Sequence, residues 1–293
     1  MSKLVPPSLD QVCTQALSLP CSPTLLPRLI ATLQKEDSTG AEVENLIRLD
    51  SALAVATLRL ANSAALSNGR QVETLEEAIL RLGHREIYRL AALALVNRWE
   101  STHGAALGWE PGDFCRRALC TALAAEALAE ATGRVDPQVA YTAGLVTDIG
   151  KLALAHACAP FYPAIRAFCE QTKCTWEQAE RSVLGYHHAG VGARLLRAWK
   201  FPEVFALCVD HQVLPTAAPV SAQPLLAHIH AATYLATAMG PGTSDDSFYT
   251  AVHGGFLRDA GFTLELLEST MAQVLPLAHA RLGDKLTHGA VNF

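Results

Sequence analysis

The chain has 293 residues, of which 50% are hydrophobic, 17% charged and 6% aromatic, with a formal net charge of -5 and a mean hydropathy of +0.19. That length and apolar fraction are enough to bury a large core and exclude an intrinsically disordered chain. The acidic balance excludes a global basic field for nucleic acid or an anionic membrane surface, so neither is expected as a partner.

The N-terminus, Met1-Ser-Lys-Leu-Val-Pro-Pro7, has no apolar core of signal-peptide length. The longest apolar run, Leu90 to Val96, falls far short of the roughly 20 residues a membrane span needs. The cytoplasm is the expected compartment. Ser8/Gln11, Thr39/Glu42, Thr74/Glu77 and Thr175/Gln178 have capping-box spacing and predict helix starts. Gly83, Gly133 and Gly185 predict helix stops. Val43, Leu46 and Ile47 mark one apolar helical stripe, and Leu119, Leu123 and Ala127 another. Alternation of the strand type is absent. The expected fold is therefore all-α, a multi-helix bundle with an N-terminal helical lobe over residues 1–100 and a larger bundle over 101–293. Eight cysteines are present without a CxxC pair, which predicts buried, reduced thiols. Trp99, Trp109, Trp176 and Trp199 read as core or hinge anchors.

Several stretches carry a family resemblance. They are Leu25-Leu-Pro-Arg-Leu, Leu46-Ile-Arg-Leu-Asp-Ser-Ala-Leu-Ala, Leu58-Arg-Leu-Ala-Asn-Ser63, Thr74-Leu-Glu-Glu-Ala-Ile-Leu-Arg-Leu-Gly83, Ala143-Gly-Leu-Val-Thr-Asp-Ile-Gly150 and His188-Ala-Gly-Val-Gly-Ala-Arg-Leu-Leu-Arg-Ala-Trp-Lys-Phe-Pro202. In this order and spacing they resemble the HDOD domain, the HD-related output domain of bacterial signalling proteins, over residues from about 22 to 235. The resemblance implies an HD-domain-like helical fold and a regulatory rather than catalytic role.

It also implies where an active HD relative would hold metal. The first histidine position falls on Arg117, the helical His-Asp pair on Thr147-Asp148, and the late aspartate on Thr233, with His188 and His211 nearby. Arginine has no lone pair for a cation and stays protonated, and threonine has no ring nitrogen. No catalytic residue, metal or cofactor is therefore expected. Arg117 is expected to replace the metal's charge by pairing with Asp148; the alternative, Arg117 facing solvent, stays open. His188 and His211 read as hydrogen-bonded structural residues; the alternative, that with His187 and Asp210 they bind a transition metal, stays open. His228 and His230, two apart on one helix, cannot chelate one ion together.

Arg81, Arg85 and Arg89 recur every four residues and form a candidate basic face for a phosphate, a nucleotide or an acidic partner helix. The alternative is a solvated face with local ion pairs, for which Glu86 is available. The functional expectation is a non-catalytic bacterial signal-transduction module that binds an unidentified signalling protein. A sensor for a nucleotide or phosphorylated ligand in the former catalytic pocket is the alternative, with Arg117 as anion receptor. Residual phosphohydrolase activity ranks last.

Overall fold

The computed structural model describes residues 5–17, 28–29, 31–32, 39–63, 71–103, 108–110, 112–240, 246, 249 and 251–282. Cys21, the Leu25-Leu26-Pro27 stretch and His288 lie outside the described residues. The described residues are helices and connections, with no strand among them, so the fold is all-α. None of the described helices is long and apolar enough to cross a membrane.

The chain divides into two compact units, one of residues 21–98 and one that joins residues 1–20 to residues 99–292. In the smaller unit, α2 (Gly40–Arg48) opens on Thr39 with its capping box to Glu42 and buries Val43, Leu46 and Ile47. Asp50 then caps α3 (Ser51–Ala61) by accepting from the Leu53 amide. Asn62 follows, and its side chain takes the place of a short strand partner. Its Nδ2 donates to the carbonyls of Leu58 and Val72, and its Oδ1 accepts from the Val72 amide at 2.7 Å. Next comes α4 (Leu75–His103), broken at Gly83, where φ 74 and ψ 162 are not helical. Arg81 thus lies before the break and Arg85 and Arg89 after it, so a single helical row of three arginines does not form. Arg81 donates to the Ala61 carbonyl and Arg89 pairs with Glu86.

In the larger unit, α1 (Leu9–Leu17) packs on α7 (Ile149–Cys158) and α10 (His188–Ala198). The sequence predicts α1 as part of the N-terminal lobe over residues 1–100. It joins the bundle instead because Val12 and Ala16 share one apolar face, and because the Tyr186 hydroxyl donates to the Pro7 carbonyl at 2.6 Å.

The centre of this unit is α5 (Asp113–Thr132), against which α6 (Pro137–Val146), α12 (Gln223–Met239) and α14 (Leu264–Leu282) pack. Every residue from Phe114 to Ala129 is buried. The expected one-sided stripe of Leu119, Leu123 and Ala127 is therefore only part of its buried surface, since a helix surrounded by others has no solvent face. Its start is sealed by the buried Glu100 carboxylate, which accepts from the Phe114 and Cys115 amides at 3.1 Å each. The bundle is completed by α8 (Tyr162–Thr172), α9 (Trp176–Leu184), α11 (Glu203–His211) and α13 (Gly254–Asp259). Left-handed glycines end α5 at Gly133 and α9 at Gly185. The seven cysteines among the described residues are free thiols.

Two glycines set the spacing of the core. A Cβ on Gly144 of α6 would lie 2.9 Å from Ala122 Cα of α5, and one on Gly150 of α7 would lie 1.9 Å from the His188 carbonyl of α10. Backbone meets backbone at both crossings, so neither neighbour can turn aside. Gly150→Ala is expected to destabilise the protein by at least about 2–3 kcal/mol through overpacking. Gly190→Ala, on an open face of α10, should be neutral or stabilising by up to about 1 kcal/mol. Urea denaturation of the two variants beside wild type checks the pair; equal stabilities would refute the close-crossing account.

Candidate functional site

Gly144 and Gly150 flank Thr147-Asp148, and the two tight crossings carry this dipeptide into the middle of the bundle. The family resemblance implies a helical pair. It lies instead at the junction where α6 ends and α7 begins, with Asp148 at φ -98 and ψ 11 and no side-chain capping bond. The carboxylate of Asp148 is thereby available for partners in space.

Those partners are cations. Lys151 Nζ lies 3.0 Å from Asp148 Oδ1, and Arg117 Nε donates to Asp148 Oδ2 at 3.4 Å. Lys151 also reaches Asp246 Oδ2 at 2.6 Å, and Arg117 Nη2 donates to the Thr237 hydroxyl at 3.2 Å. Lys151, Arg117, Asp148 and Asp246 are all buried. Burial alone would push the Asp148 carboxyl up, but Lys151 and then Arg117 pull it further down, so it stays below the ordinary carboxylate range. Burial likewise pulls Lys151 down, while Asp148 and Asp246 more than reverse this and hold the ammonium above its usual value.

A second buried pair adjoins the first. Both the backbone amide and Nδ1 of His188 meet one oxygen of Glu180, at 2.8 and 2.7 Å, and Trp176 Nε1 donates to the other oxygen at 3.0 Å. Glu180 is completely buried. Burial lowers the His188 imidazole, but Glu180 outweighs it and raises it above the ordinary value. The neighbouring His187 and, across the site, His230 go the other way. Burial first, then a neighbouring histidine, pulls each down to about 4.

A cavity of about 240 Å³ lies over these groups. Of the expected site residues, Arg117, Asp148, His188 and Thr233 line it, whereas Thr147 and His211 do not. Thr147 donates to Gln212 Oε1 at 3.3 Å, and His211 Nδ1 contacts the Leu207 carbonyl one turn back. Thr233 spends its hydroxyl proton on the Ile229 carbonyl. His228 meets Thr132 and the Pro224 carbonyl while His230 accepts from the His253 amide, so the two point to different neighbours.

Lys151, Glu180 and Asp246 were missed in the sequence. Lys151 stands three residues after Asp148, a spacing that places two side chains on one helical face and could have revealed it. Glu180 follows Trp176 by four residues, at a position where α9 is otherwise apolar. Asp246 carries no such signal. Among the described residues no group of three or more His, Cys, Asp or Glu side chains gathers as a metal would require.

A protein-family model, the HDOD domain, matches residues 19–215, more than half of the chain. The chain belongs to the HDOD domain family. An HDOD domain protein of unknown function from Geobacter sulfurreducens shares the fold with a TM-score of 0.71 at 20% identity, covering 92% of this chain and 96% of its own. A Marinobacter aquaeolei VT8 protein, provisionally assigned to signal transduction, superposes with a TM-score of 0.72 at 19% identity, covering 96% of this chain and 61% of that one. A provisionally assigned phosphohydrolase from Shewanella amazonensis SB2B reaches 0.61 at 24% identity, over 91% and 97% of the two chains. An uncharacterized protein of Treponema pallidum (strain Nichols) is 27% identical over 254 residues, 78% of this chain. The chain spans about half the length of that relative, 46%.

In this HDOD chain, then, the bundle core holds ion pairs at its centre. Removing the shared carboxylate by Asp148→Ala would leave Lys151 and Arg117 facing each other in a buried site. The expected cost is about 3–5 kcal/mol. Adding Lys151→Met should recover part of that loss, since the two side chains are in contact; strict additivity in a denaturation double-mutant cycle would contradict the pairing.

His230 supplies a pH test. Its imidazole is depressed from 6.5 to about 4 in the folded state, so folding favours the neutral ring. That contribution is fully present above pH 6.5 and is lost as pH falls toward about 4. The stability gap between wild type and His230→Gln should narrow on acidification across this window. Proton NMR should place the His230 titration near the lower value.

Proposed function

We propose that this HDOD chain is a non-catalytic signalling module that works by binding a partner protein, and that its former metal site is now an internal ion-pair cluster. One observation supports this above all: both oxygens of Asp148 already face protonated nitrogens, those of Lys151 and Arg117. A divalent cation needs anionic oxygens and neutral imidazoles with their lone pairs directed inward. Here an ammonium and a guanidinium stand against those oxygens, and the hydroxyls of Thr147 and Thr233 are committed to Gln212 and the Ile229 carbonyl. The residues present do not fit a metal centre.

What remains is a bundle whose central charges neutralise one another. Such a module transmits a signal by what it holds rather than by turnover, and the family's regulatory character supports the same reading. Its place of action on this reading is the cytosol.

Elemental analysis of protein purified from medium supplemented with Mn, Fe and Zn should find only substoichiometric metal. Hydrolysis of phosphomonoesters and phosphodiesters should stay at the level of buffer. Stoichiometric metal together with turnover that Asp148→Asn abolishes would overturn the non-catalytic reading. For the partner, affinity capture with the full chain should enrich a signalling protein that an unrelated helical bait does not.

A further inference from the structure

The turn between α8 and α9 brings two thiols together. α8 ends at Thr172, and Lys173 takes the left-handed conformation at φ 55, its amide donating to the Cys169 carbonyl at 2.9 Å. A helix stop of this kind commonly packs the residue after the left-handed position against the helix's last turn. Here those residues are Cys174 and Cys169. The Cys169 thiol donates to the Thr175 carbonyl at 3.8 Å, which keeps it on the turn side of α8. Burial first, then the Cys174 thiol beside it through charge and a side-chain hydrogen bond, push Cys169 up to about 12. Cys169 is fully buried, whereas Cys174 is partly open to solvent.

We infer that Cys169 and Cys174 form a reversible disulfide in response to hydroperoxides, which makes the α8–α9 turn a redox-modification site. Cys174 is the member of the pair that an oxidant from solvent reaches first. Its thiolate attacks one peroxide oxygen, the O–O bond breaks, and the other oxygen leaves as an alcohol or water after taking up a proton. Cys174 is then a sulfenic acid. The Cys169 sulfur displaces the hydroxyl from the Cys174 sulfur, and that hydroxyl departs as water with the Cys169 proton. In sum, two thiols and a hydroperoxide give a disulfide, an alcohol and water. A dithiol reverses the link by exchange. The adjacent thiol also spares Cys174 from the irreversible sulfinic and sulfonic states. Cys115, Cys120, Cys158 and Cys208 are buried within helices and lack such an approach from solvent.

The link acts next to the cavity wall. Trp176 and Glu177 follow Cys174 at the start of α9 and line the cavity, and Trp176 also donates to Glu180. A covalent clamp on the turn therefore restrains that wall without touching Asp148, Lys151 or Arg117. The redox site stands or falls independently of the partner-binding reading.

The test exposes the reduced full chain to hydrogen peroxide in EDTA-containing buffer, blocks remaining thiols with N-ethylmaleimide and digests with trypsin. Cleavage after Arg166, Lys173 and Arg181 puts the two thiols on separate peptides, 167–173 and 174–181. Mass spectrometry should find these two linked, the link should split with dithiothreitol, and it should exceed every other cysteine pairing by at least about 10-fold. In Cys169→Ser, oxidation should stop at Cys174 and be trapped there by dimedone. In a glutathione redox buffer, the link should be at least about 10-fold more favoured in the folded chain than in urea, because the folded turn holds the thiols together.

Equal equilibria in folded and unfolded chain would overturn the proposal. So would linkage chiefly to other cysteines, or dimedone adducts on wild-type Cys174 without the linked pair. Should Cys169→Ser fail to fold, the wild-type peptide map and the glutathione equilibrium decide the matter.

Discussion

The larger unit depends on a lysine ammonium held between two buried carboxylates. Lys151 has Asp148 on one side and Asp246 on the other, with Arg117 closing on the far oxygen of Asp148. Any one of these charges alone would be costly to bury, and together they neutralise one another. Because these charges come from three stretches of chain, the cluster ties α5, the α6–α7 junction and the segment before α13 to a single point. The neighbouring Glu180 does the same for α9 and α10 through Trp176 and His188.

Such a cluster can form only where the backbones come close enough. Gly144 and Gly150 permit this, since α5 and α10 approach them to distances at which any side chain would collide. The helix break at Thr147-Asp148 then directs a carboxylate inward instead of spending it on a cap. Small residues, a broken helix and a charge cluster are thus one device, and changing any of them alters the others.

The same geometry bears on what this HDOD bundle can do. A metal centre works by leaving anionic donors and an open coordination position for substrate. Here the carboxylates of Asp148 and Asp246 face the side-chain cations of Lys151 and Arg117. Yet a cavity survives beside them, bordered by aromatic walls and a charged floor.

The sequence by itself determined the helical class, the family and several of the helix starts and stops. Capping pairs such as Thr39/Glu42, glycine stops and apolar spacing act through neighbours three or four residues away, and such local physics is written in order along the chain. It also pointed to Arg117 and Asp148, because a guanidinium at a ligand position is a chemical statement that needs no coordinates. Only the tertiary structure decided that Lys151 stands closer to Asp148 than Arg117 does, that α1 packs on the bundle, and that α5 is buried on every side. It alone brought in Asp246, nearly a hundred residues from its partner. The pairing of distant charges depends on how helices cross, and crossing is set by packing across the whole core, which no local spacing encodes.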